Sequence, residues 1–300
     1  MSIKRLYITS MAAMLIWLAV APFSVYSQQL DYRPKILLVT AHPDDDALYS
    51  ATVFKTTYLL DGVVDLAVMT NGEGGYRYST LGNYLYGKNL DKEEVGRAWL
   101  PGIRKKEVMA GGEIVGIRNY YFLDQVDDQY SEDIAIPLKK WNTDYVTARL
   151  QKVIREEEYD FIFTMLPHAG THAHHKASAL LTLRAVINLP RNLRPLVLGT
   201  TILRSEEDST EFRQLKGYPL TEIDRSVGHF TFNRNQRFGH EKRLNYNIIS
   251  NWVIAEHKSQ GTMQLFMGAG VIEEYWYYRI NPDDGVTKVR EFFKAVNAAE

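Results

Sequence analysis

The sequence predicts an α/β fold, in which a mostly parallel β-sheet carries helices on both faces. Three observations lead to this prediction. Apolar runs of strand length alternate with segments of helical character between residues 35 and 203. The first run, 35–41, is apolar almost throughout, which is typical of a central strand that is buried on both faces. The repeated strand–helix–strand order favours right-handed crossovers, which make neighbouring strands parallel.

Turn-forming residues delimit the first half of the predicted sheet. A helix at 47–60 follows the first strand and ends at an Asp-Gly pair. The second strand, 63–70, is followed by a loop rich in glycine and tyrosine, and then by a helix at 92–116. Pro101 lies inside this helix, where proline removes a backbone hydrogen bond, so a break is expected there.

The second half of the sheet continues the alternation. We predict strands at 119–124, 160–166 and 196–203, separated by helices at 144–158 and 175–186. The C-terminal third is less regular. It is predicted to contain a long helix near 239–257 and an aromatic segment at 273–280, whose rings are expected to pack in the core.

The composition excludes several classes of function. The chain has 300 residues, with 35 Lys and Arg against 36 Asp and Glu, so its net charge is −1. This balance offers no basic excess for binding the phosphates of nucleic acid. The chain has 0 cysteines, which excludes disulfides, thiolate metal sites and a cysteine nucleophile. Any metal must therefore be held by histidine and carboxylate side chains.

The N-terminal segment, 1–27, is typical of a secretory signal peptide. Lys4 and Arg5 precede an apolar run at 11–21, and small residues follow near a plausible cleavage site. The alternative is a membrane anchor, but this run is short for a span of ~20 residues, and Pro22 closes it. We expect an exported protein, periplasmic or secreted, with no stable membrane span after cleavage.

Histidines are concentrated where two predicted strands end. His42 follows the first strand, and four more histidines follow the fourth strand within eight residues: His168, His172, His174 and His175. Ligands of open α/β sheets gather at the carboxyl ends of the strands. If the two strands are near neighbours, these side chains converge on one point.

Such a point has the composition of a catalytic metal site. His42 and Asp45, three residues apart, can share one face, and His175 adds a second imidazole. Two imidazoles and a carboxylate suit zinc and leave positions open for water and substrate. Asp44 can then accept the proton of the water molecule, and His172 can stabilise the oxyanion of a tetrahedral intermediate.

Two other interpretations of these segments remain open. The aspartates at 44–46 can cap a helix and complement its dipole. The histidine cluster can be a solvated loop that binds metal adventitiously. Calcium is disfavoured, because the spacing lacks the alternating oxygen ligands and the glycine of a calcium loop.

Three motifs resemble the signatures of one family. Ala-His-Pro-Asp-Asp-Asp at 41–46 resembles the Ala-His-Pro-Asp-Asp-Glu motif of PIG-L/LmbE-like zinc deacetylases. His-Ala-His-His at 172–175 is similar to their His-Pro-Asp-His, and His-Lys-Ser-Gln at 257–260 to their His-x-Ser-Gln. The resemblance covers roughly 34–260. We therefore predict a catalytic domain at 28–260, with 261–300 as a C-terminal extension of the same domain.

The resemblance implies a Rossmann-like fold and hydrolysis of an N-acetyl group on a glucosamine-type sugar. It assigns zinc to His42, Asp45 and His175, the general base to Asp44, and oxyanion support to His172. Other divalent transition metals, such as iron, cobalt or nickel, suit the same ligands. These roles agree with those reasoned from the residues.

The resemblance also suggests residues that contact the sugar. Arg104, in an Arg-x-x-Glu pattern with Glu107, and Asp127 after the third strand are candidate substrate contacts, as is His257. The alternatives are a surface ion pair, a turn aspartate and a helix C-terminal cation, respectively.

The motifs depart from the family pattern at two positions. Asp46 stands in place of the usual Glu, and His174 stands in place of an Asp. The latter change removes a carboxylate that could orient a neighbouring histidine. His174 itself can take this role, or it can simply face solvent.

The expected function is therefore an exported, zinc-dependent N-deacetylase. Its substrate is a small molecule or glycan that carries an N-acetyl amino sugar, and no nucleic acid is involved. One alternative keeps the metal but hydrolyses another amide or an ester. A second alternative is a non-catalytic periplasmic protein that binds glycans on a degenerate hydrolase fold.

Overall fold

The structure is a computed structural model that describes residues 33–300. The predicted signal peptide lies outside the described residues and stays a prediction. Within this range, seven strands form the main sheet: β1 (Lys35–Thr40), β2 (Val63–Thr70), β3 (Ile117–Gln125), β4 (Phe161–Met165), β5 (Leu196–Leu203), β6 (His229–Asn233) and β9 (Ile272–Tyr277). Two short strands, β7 (Arg237–Phe238) and β8 (Leu244–Asn245), pair with each other in a separate ribbon.

Helices connect these strands and cover the sheet. They are α1 (Ser50–Leu59), α2 (Thr80–Tyr86), α3 (Glu93–Val115), α4 (Ala135–Lys140), α5 (Thr143–Glu157), α6 (Ala173–Ile187), α7 (Asn247–Glu256), α8 (Gly261–Gln264) and α9 (Gly285–Ala298). Short 3-10 turns precede α1 and α2, at Asp45–Leu48 and Glu73–Tyr78. In the part of the chain that the structure describes, no helix is both long enough and apolar enough to span a membrane.

The order of the strands places β1 and β4 at the centre of the sheet. The order is β3-β2-β1-β4-β5-β9-β6, and the five strands from β3 to β5 are parallel. The chain moves outward from β1 to β3, then returns to β4 on the other side of β1. Such a reversal opens a crevice at the carboxyl ends of the two central strands, which is where ligands bind in open α/β sheets.

The central strands are apolar because both of their faces are buried. In β1, Leu37 and Val39 belong to the core beneath α5 and α6. On the opposite face, Phe161 and Phe163 of β4 pack against Phe292 of α9. These buried runs explain why the strands lack an alternating pattern, and the predicted α/β fold with a mostly parallel sheet is confirmed.

The C-terminal third differs most from the prediction. Residues 261–300 supply β9, which runs antiparallel between β5 and β6, and its aromatic side chains are buried as expected. The predicted helix at 239–257 is shorter, because the β7–β8 ribbon occupies its first part and α7 begins only at Asn247. The expected break at Pro101 is wrong. α3 is continuous there, and residues on both sides of the proline, Leu100 and Arg104, are buried.

Candidate metal centre and active site

Two segments meet in the crevice above β1 and β4. Val39 of β1 is in register with Thr164 of β4, so the two strands end side by side. The turn that begins at His42 follows β1, and the loop before α6 follows β4. The predicted convergence of the two histidine-containing segments is thus confirmed, and it follows from neighbouring parallel strands.

His42, Asp45 and His175 bring two imidazole nitrogens and one carboxylate group together. His42 Nδ1 lies 3.1 Å from His175 Nε2 and 3.5 Å from Asp45 Oδ2, and Asp45 Oδ1 lies 3.2 Å from His175 Nε2. Ligand atoms on a tetrahedral zinc, with bonds of ~2.0 Å, are separated by about 3.3 Å. The three side chains therefore fit zinc or another divalent transition metal, with the remaining coordination positions open.

Backbone and side-chain hydrogen bonds hold these ligands in place. Asp45 Oδ2 accepts hydrogen bonds from the backbone N–H groups of Ala41, at 3.0 Å, and His42, at 2.7 Å. The carboxylate thus closes the turn on which it lies. The hydroxyl of Thr171 lies 3.0 Å from His175 Nδ1, which leaves Nε2 directed at the other ligands. Hydrogen-bond partners of this kind orient metal ligands and fix their tautomers.

Without a metal, the charged side chains of the cluster attract one another strongly. Burial alone lowers the pKa of His42, but the adjacent Asp45 carboxylate outweighs it and raises this pKa to about 9. Burial raises the pKa of Asp45, but attraction to His175 and His42 holds it well below its usual range. Asp45 is therefore ionised at neutral pH and His42 is protonated, so the site already holds a positive charge beside the carboxylate.

Asp44, the predicted general base, is held by an arginine. Its Oδ1 lies 2.9 Å from Arg104 Nη2, and Arg104 Nη1 donates to the carbonyl oxygen of Gly72 at 2.7 Å. Arg104 is only 3% exposed. Gly72 has φ of 73°, and a Cβ atom added to it would lie 2.5 Å from Arg104 Nη1. Glycine is therefore required there by the backbone conformation and by the approach of the guanidinium.

His172 is placed as a neutral hydrogen-bond donor. It is the N-cap of α6, and its Nδ1 accepts a hydrogen bond from the backbone N–H of His174 at 3.0 Å. Burial and repulsion from the neighbouring histidines lower its pKa to about 2. A neutral imidazole whose Nδ1 accepts must carry its proton on Nε2. The residue can therefore donate from Nε2 at neutral pH. His168, by contrast, lies against Phe212 and does not join the cluster.

A cavity of about 720 Å³ opens in front of the cluster. The predicted site residues that line it are His42, Asp44, Asp45, Arg104, Asp127, His172 and His175. Tyr78, from the tyrosine-rich loop, also lines it, whereas Tyr76 is buried and Tyr84 is 83% exposed. Its lining also includes apolar side chains, among them Met165, Ile202, Met263 and Phe266. The cavity volume is within the range of small-molecule sites, about 300–1,000 Å³, and its lining includes the polar side chains of the proposed metal ligands.

His257 does not line this cavity. It is 1% exposed, and its Nε2 lies 2.8 Å from Asp46 Oδ1. This burial argues against the predicted substrate contact, because the imidazole faces the back of the metal-binding turn. Asp46, the shorter residue at the usual Glu position, is thus the partner of a buried histidine. Two other residues of the His-Lys-Ser-Gln motif also lie near the site. Ser259 donates hydrogen bonds to Glu107, and Gln260 lines the cavity.

Two residues that support the site carried no signal in the sequence. Arg234, the residue directly after β6, donates to the carbonyl oxygens of Ala47 and Leu48, which follow the metal-binding turn, and to Glu273 of β9 at 2.8 Å. Glu273 also accepts from the backbone N–H groups at the start of α1. Nothing near either residue forms a motif, and only the position of β6 and β9 in the sheet brings the pair to the turn.

Comparisons with known proteins agree with the motifs. A relative from Bacillus cereus, "Probable N-acetyl-alpha-D-glucosaminyl L-malate deacetylase 2", is 29% identical over 174 residues, which cover 57% of this chain and 70% of the relative. A deacetylase–teicoplanin complex from the teicoplanin biosynthesis pathway superposes with a TM-score of 0.52 at 15% identity, covering 83% of this chain and 99% of that chain. GalB, the 4-carboxy-2-hydroxymuconate hydratase from Pseudomonas putida KT2440, gives 0.51 at 13% identity, covering 81% and 95%.

The two structural similarities establish the fold alone, and the fold is shared by a deacetylase and a hydratase. The family assignment rests on the sequence. A family model described as PIG-L, GlcNAc-PI de-N-acetylase, matches residues 37–186, from β1 to the end of α6. Because this match spans half of the chain and includes both histidine-containing segments, the protein belongs to the PIG-L family.

Proposed function

We propose that this protein is a metal-dependent hydrolase that removes the N-acetyl group from an N-acetylglucosamine-type sugar or its conjugate. The observation that carries the proposal is the meeting of His42, Asp45 and His175, with Asp44 on the same turn, in the lining of the cavity. The family membership and the name of the Bacillus cereus relative support the type of bond and the type of sugar.

The ligand set favours zinc, although other divalent transition metals accept the same ligands. A metal held by His42, Asp45 and His175 would supply Lewis acidity toward the acetyl carbonyl and toward a water molecule. This assignment of the ligands rests on the fit between the three donor atoms and a tetrahedral site.

Asp44 acts as the general base and then as the general acid. Its carboxylate, fixed by Arg104, accepts a proton from water as the water oxygen bonds to the acetyl carbon. When the C–N bond breaks, the same carboxyl group returns the proton to the amine nitrogen, so that acetate and a free amino sugar are released. Arg104 is a positioning residue in this scheme, because its guanidinium is engaged by Asp44 and the backbone.

His172 stabilises the charge that develops on the acetyl oxygen. His172 lines the cavity and carries its proton on Nε2, and this N–H donates a hydrogen bond as the oxygen becomes negative. Asp127 and Tyr78, which also line the cavity, are positioned to contact the sugar. An exposed arginine at the rim, Arg204, would suit an acidic group attached to the sugar, such as the malate named for the relative.

The proposal is tested by metal analysis together with acetate release from a panel of substrates. The panel contains N-acetylglucosamine, its malate conjugate, N,N'-diacetylchitobiose and matched esters. We expect about one metal ion per chain and acetate release from at least one N-acetyl sugar. Asp44→Asn should lower kcat by about 10²- to 10⁴-fold and leave the metal bound. Asp144→Asn, at an exposed position of α5, is the matched control and should be unchanged.

Each alternative function gives a different result. If the protein hydrolyses only the esters of the panel, it is a metal-dependent esterase and the N-deacetylase proposal is wrong. If His42→Ala abolishes metal binding but leaves the affinity for sugar unchanged, and the parent protein releases no acetate, the protein is a glycan-binding protein. Turnover that is unaffected by Asp44→Asn would refute the assigned base.

We also propose that the protein is exported. The charged start, apolar run and small residues of 1–27 support this proposal. Expression of the full chain in a Gram-negative host, followed by fractionation and N-terminal sequencing, tests it. We expect a mature chain in the periplasm that begins near Gln28. A cytoplasmic chain that retains Met1 would contradict it.

A further inference from the structure

His42 has a second nitrogen, and the structure shows what that nitrogen contacts. Nδ1 faces the other two proposed ligands, whereas Nε2 lies 3.1 Å from His174 Nδ1. His174 Nε2 in turn lies 3.1 Å from Asp128 Oδ1. Asp128 forms an ion pair with Lys140 at its other oxygen. His42, His174 and Asp128 thus form a continuous chain of contacts that leads away from the cavity.

The chemistry of these groups fixes the direction of the hydrogen bonds. An ionised carboxylate can only accept, so the proton of a neutral His174 must lie on Nε2, where it is donated to Asp128. Its Nδ1 is then an acceptor. Two groups lie near this nitrogen: His42 Nε2 at 3.1 Å and Asp127 Oδ1 at 3.5 Å. An ionised carboxylate has no proton to donate, so the donor to Nδ1 is Nε2–H of His42. With its proton on Nε2, His42 presents the lone pair of Nδ1 toward Asp45 and His175.

We propose that His174 and Asp128 are positioning residues that hold His42 in the tautomer that binds metal through Nδ1. His174 stands where the related motif has an aspartate. Here the imidazole of His174 lies between His42 and the carboxylate of Asp128, which follows β3, and so connects the two. This inference rests on the proposed function only in taking His42 as a metal ligand.

Two other roles for His174 compete with this one. The residue is 1% exposed and lies against Trp141, with ring centroids 5.2 Å apart, so it can simply fill space in the core. His42, His172 and His174 also form a second group with ligand atoms within 4.8 Å of one another, so His174 can itself be a ligand. Neither role requires Nδ1 of His174 to accept a hydrogen bond, which is the property to test.

Two isosteric variants separate these roles. In His174→Asn, the amide oxygen can take the place of Nδ1 as the acceptor, whereas His174→Leu has nearly the same shape and no acceptor. The probe is Zn²⁺ alone, titrated into the metal-free full protein against a competing chelator. We expect His174→Leu to weaken zinc binding by about 10- to 100-fold, and His174→Asn to restore it to within about threefold of the parent. Asp128→Asn should weaken it by less than His174→Leu.

Thermal unfolding of the metal-free proteins accompanies the titration, because it reports packing without metal. Equal losses of zinc affinity in the Asn and Leu variants would overturn the proposal in favour of packing. A stoichiometry of two ions in the parent, falling to one in both variants, would overturn it in favour of a ligand role. Zinc affinity does not depend on finding the substrate. The two proposals can therefore fail separately. The expected order of zinc affinities can be observed in a protein that shows no deacetylation, and deacetylation can be observed when that order is not.

Discussion

Gly72 offers a test of whether Arg104 controls the general base. Replacing Gly72 by alanine places a Cβ atom 2.5 Å from Arg104 Nη1, whereas carbon and nitrogen pack without strain at about 3.5 Å. The guanidinium must therefore shift by ~1 Å, and we expect this shift to disrupt its 2.9 Å contact with Asp44.

The expected result is a loss of turnover without a loss of metal. A displacement of ~1 Å at a catalytic group can cost about 100-fold in rate, so we expect kcat to fall by about that factor. Zinc affinity should stay within about threefold, because no proposed ligand touches Gly72. Steady-state acetate release and a zinc titration measure the two quantities.

Gly87 provides a matched control for backbone strain. It also has a left-handed conformation, with φ of 61°, but nothing lies within 4 Å of an added Cβ. Both alanine variants should lose about 1–2 kcal/mol of unfolding free energy from the left-handed backbone. Only Gly72→Ala should lose turnover. Equal kcat values for the two variants would show that Arg104 does not position Asp44, and the reasoning would fail.

Three further predictions address other parts of the site. His172→Phe removes the Nε2–H donor, so we expect kcat to fall by about 10²- to 10³-fold while zinc stays bound. Acetate release and metal content measure the two quantities. An unchanged rate would contradict the oxyanion role. Without metal, the pKa of His42 is raised to about 9, so zinc must displace the proton of His42 in order to bind at neutral pH. The apparent zinc affinity should therefore rise about tenfold per pH unit from pH 7 and level off near pH 9. Calorimetry in buffers of different ionisation enthalpy should detect that proton at pH 7, and no release would refute the pairing with Asp45. Arg234→Met leaves Glu273 buried without its cation and should cost about 3 kcal/mol of unfolding free energy in chemical denaturation, whereas the exposed Arg213→Met should cost less than 1 kcal/mol.

The parallel half of the sheet was predictable because its determinants are local. The strand predicted at 196–203 matches β5 residue for residue, since an apolar run between turn signals suffices to define a buried strand. β6 and β9 were harder, because their pairing depends on the long connection between them and on the free edge of β5. The helix expected from residue 239 begins later because Glu241 and Lys242 have positive φ values, which a helix does not permit.

The metal ligands were predictable for a similar reason. His42 and His175 follow strands that the alternation of elements already made parallel, so their meeting required only that β1 and β4 be neighbours. The hydrogen bond between His257 and Asp46 joins residues 211 positions apart. The ion pair between Arg104 and Asp44 depends on how closely α3 packs against the turn after β1. Such distances are properties of the assembled protein, and no spacing in the sequence encodes them.

The ion pair between Arg234 and Glu273 shows how much of the chain the site needs. A fragment that stopped after α6 would contain every proposed metal ligand, the base and the oxyanion donor. It would lack the arginine that fastens the segment after His42 and the carboxylate that caps α1. We therefore expect the residues after α6 to be needed for a rigid site. A shortened chain should retain the motifs of the family but lose the contacts that hold the proposed metal-binding turn.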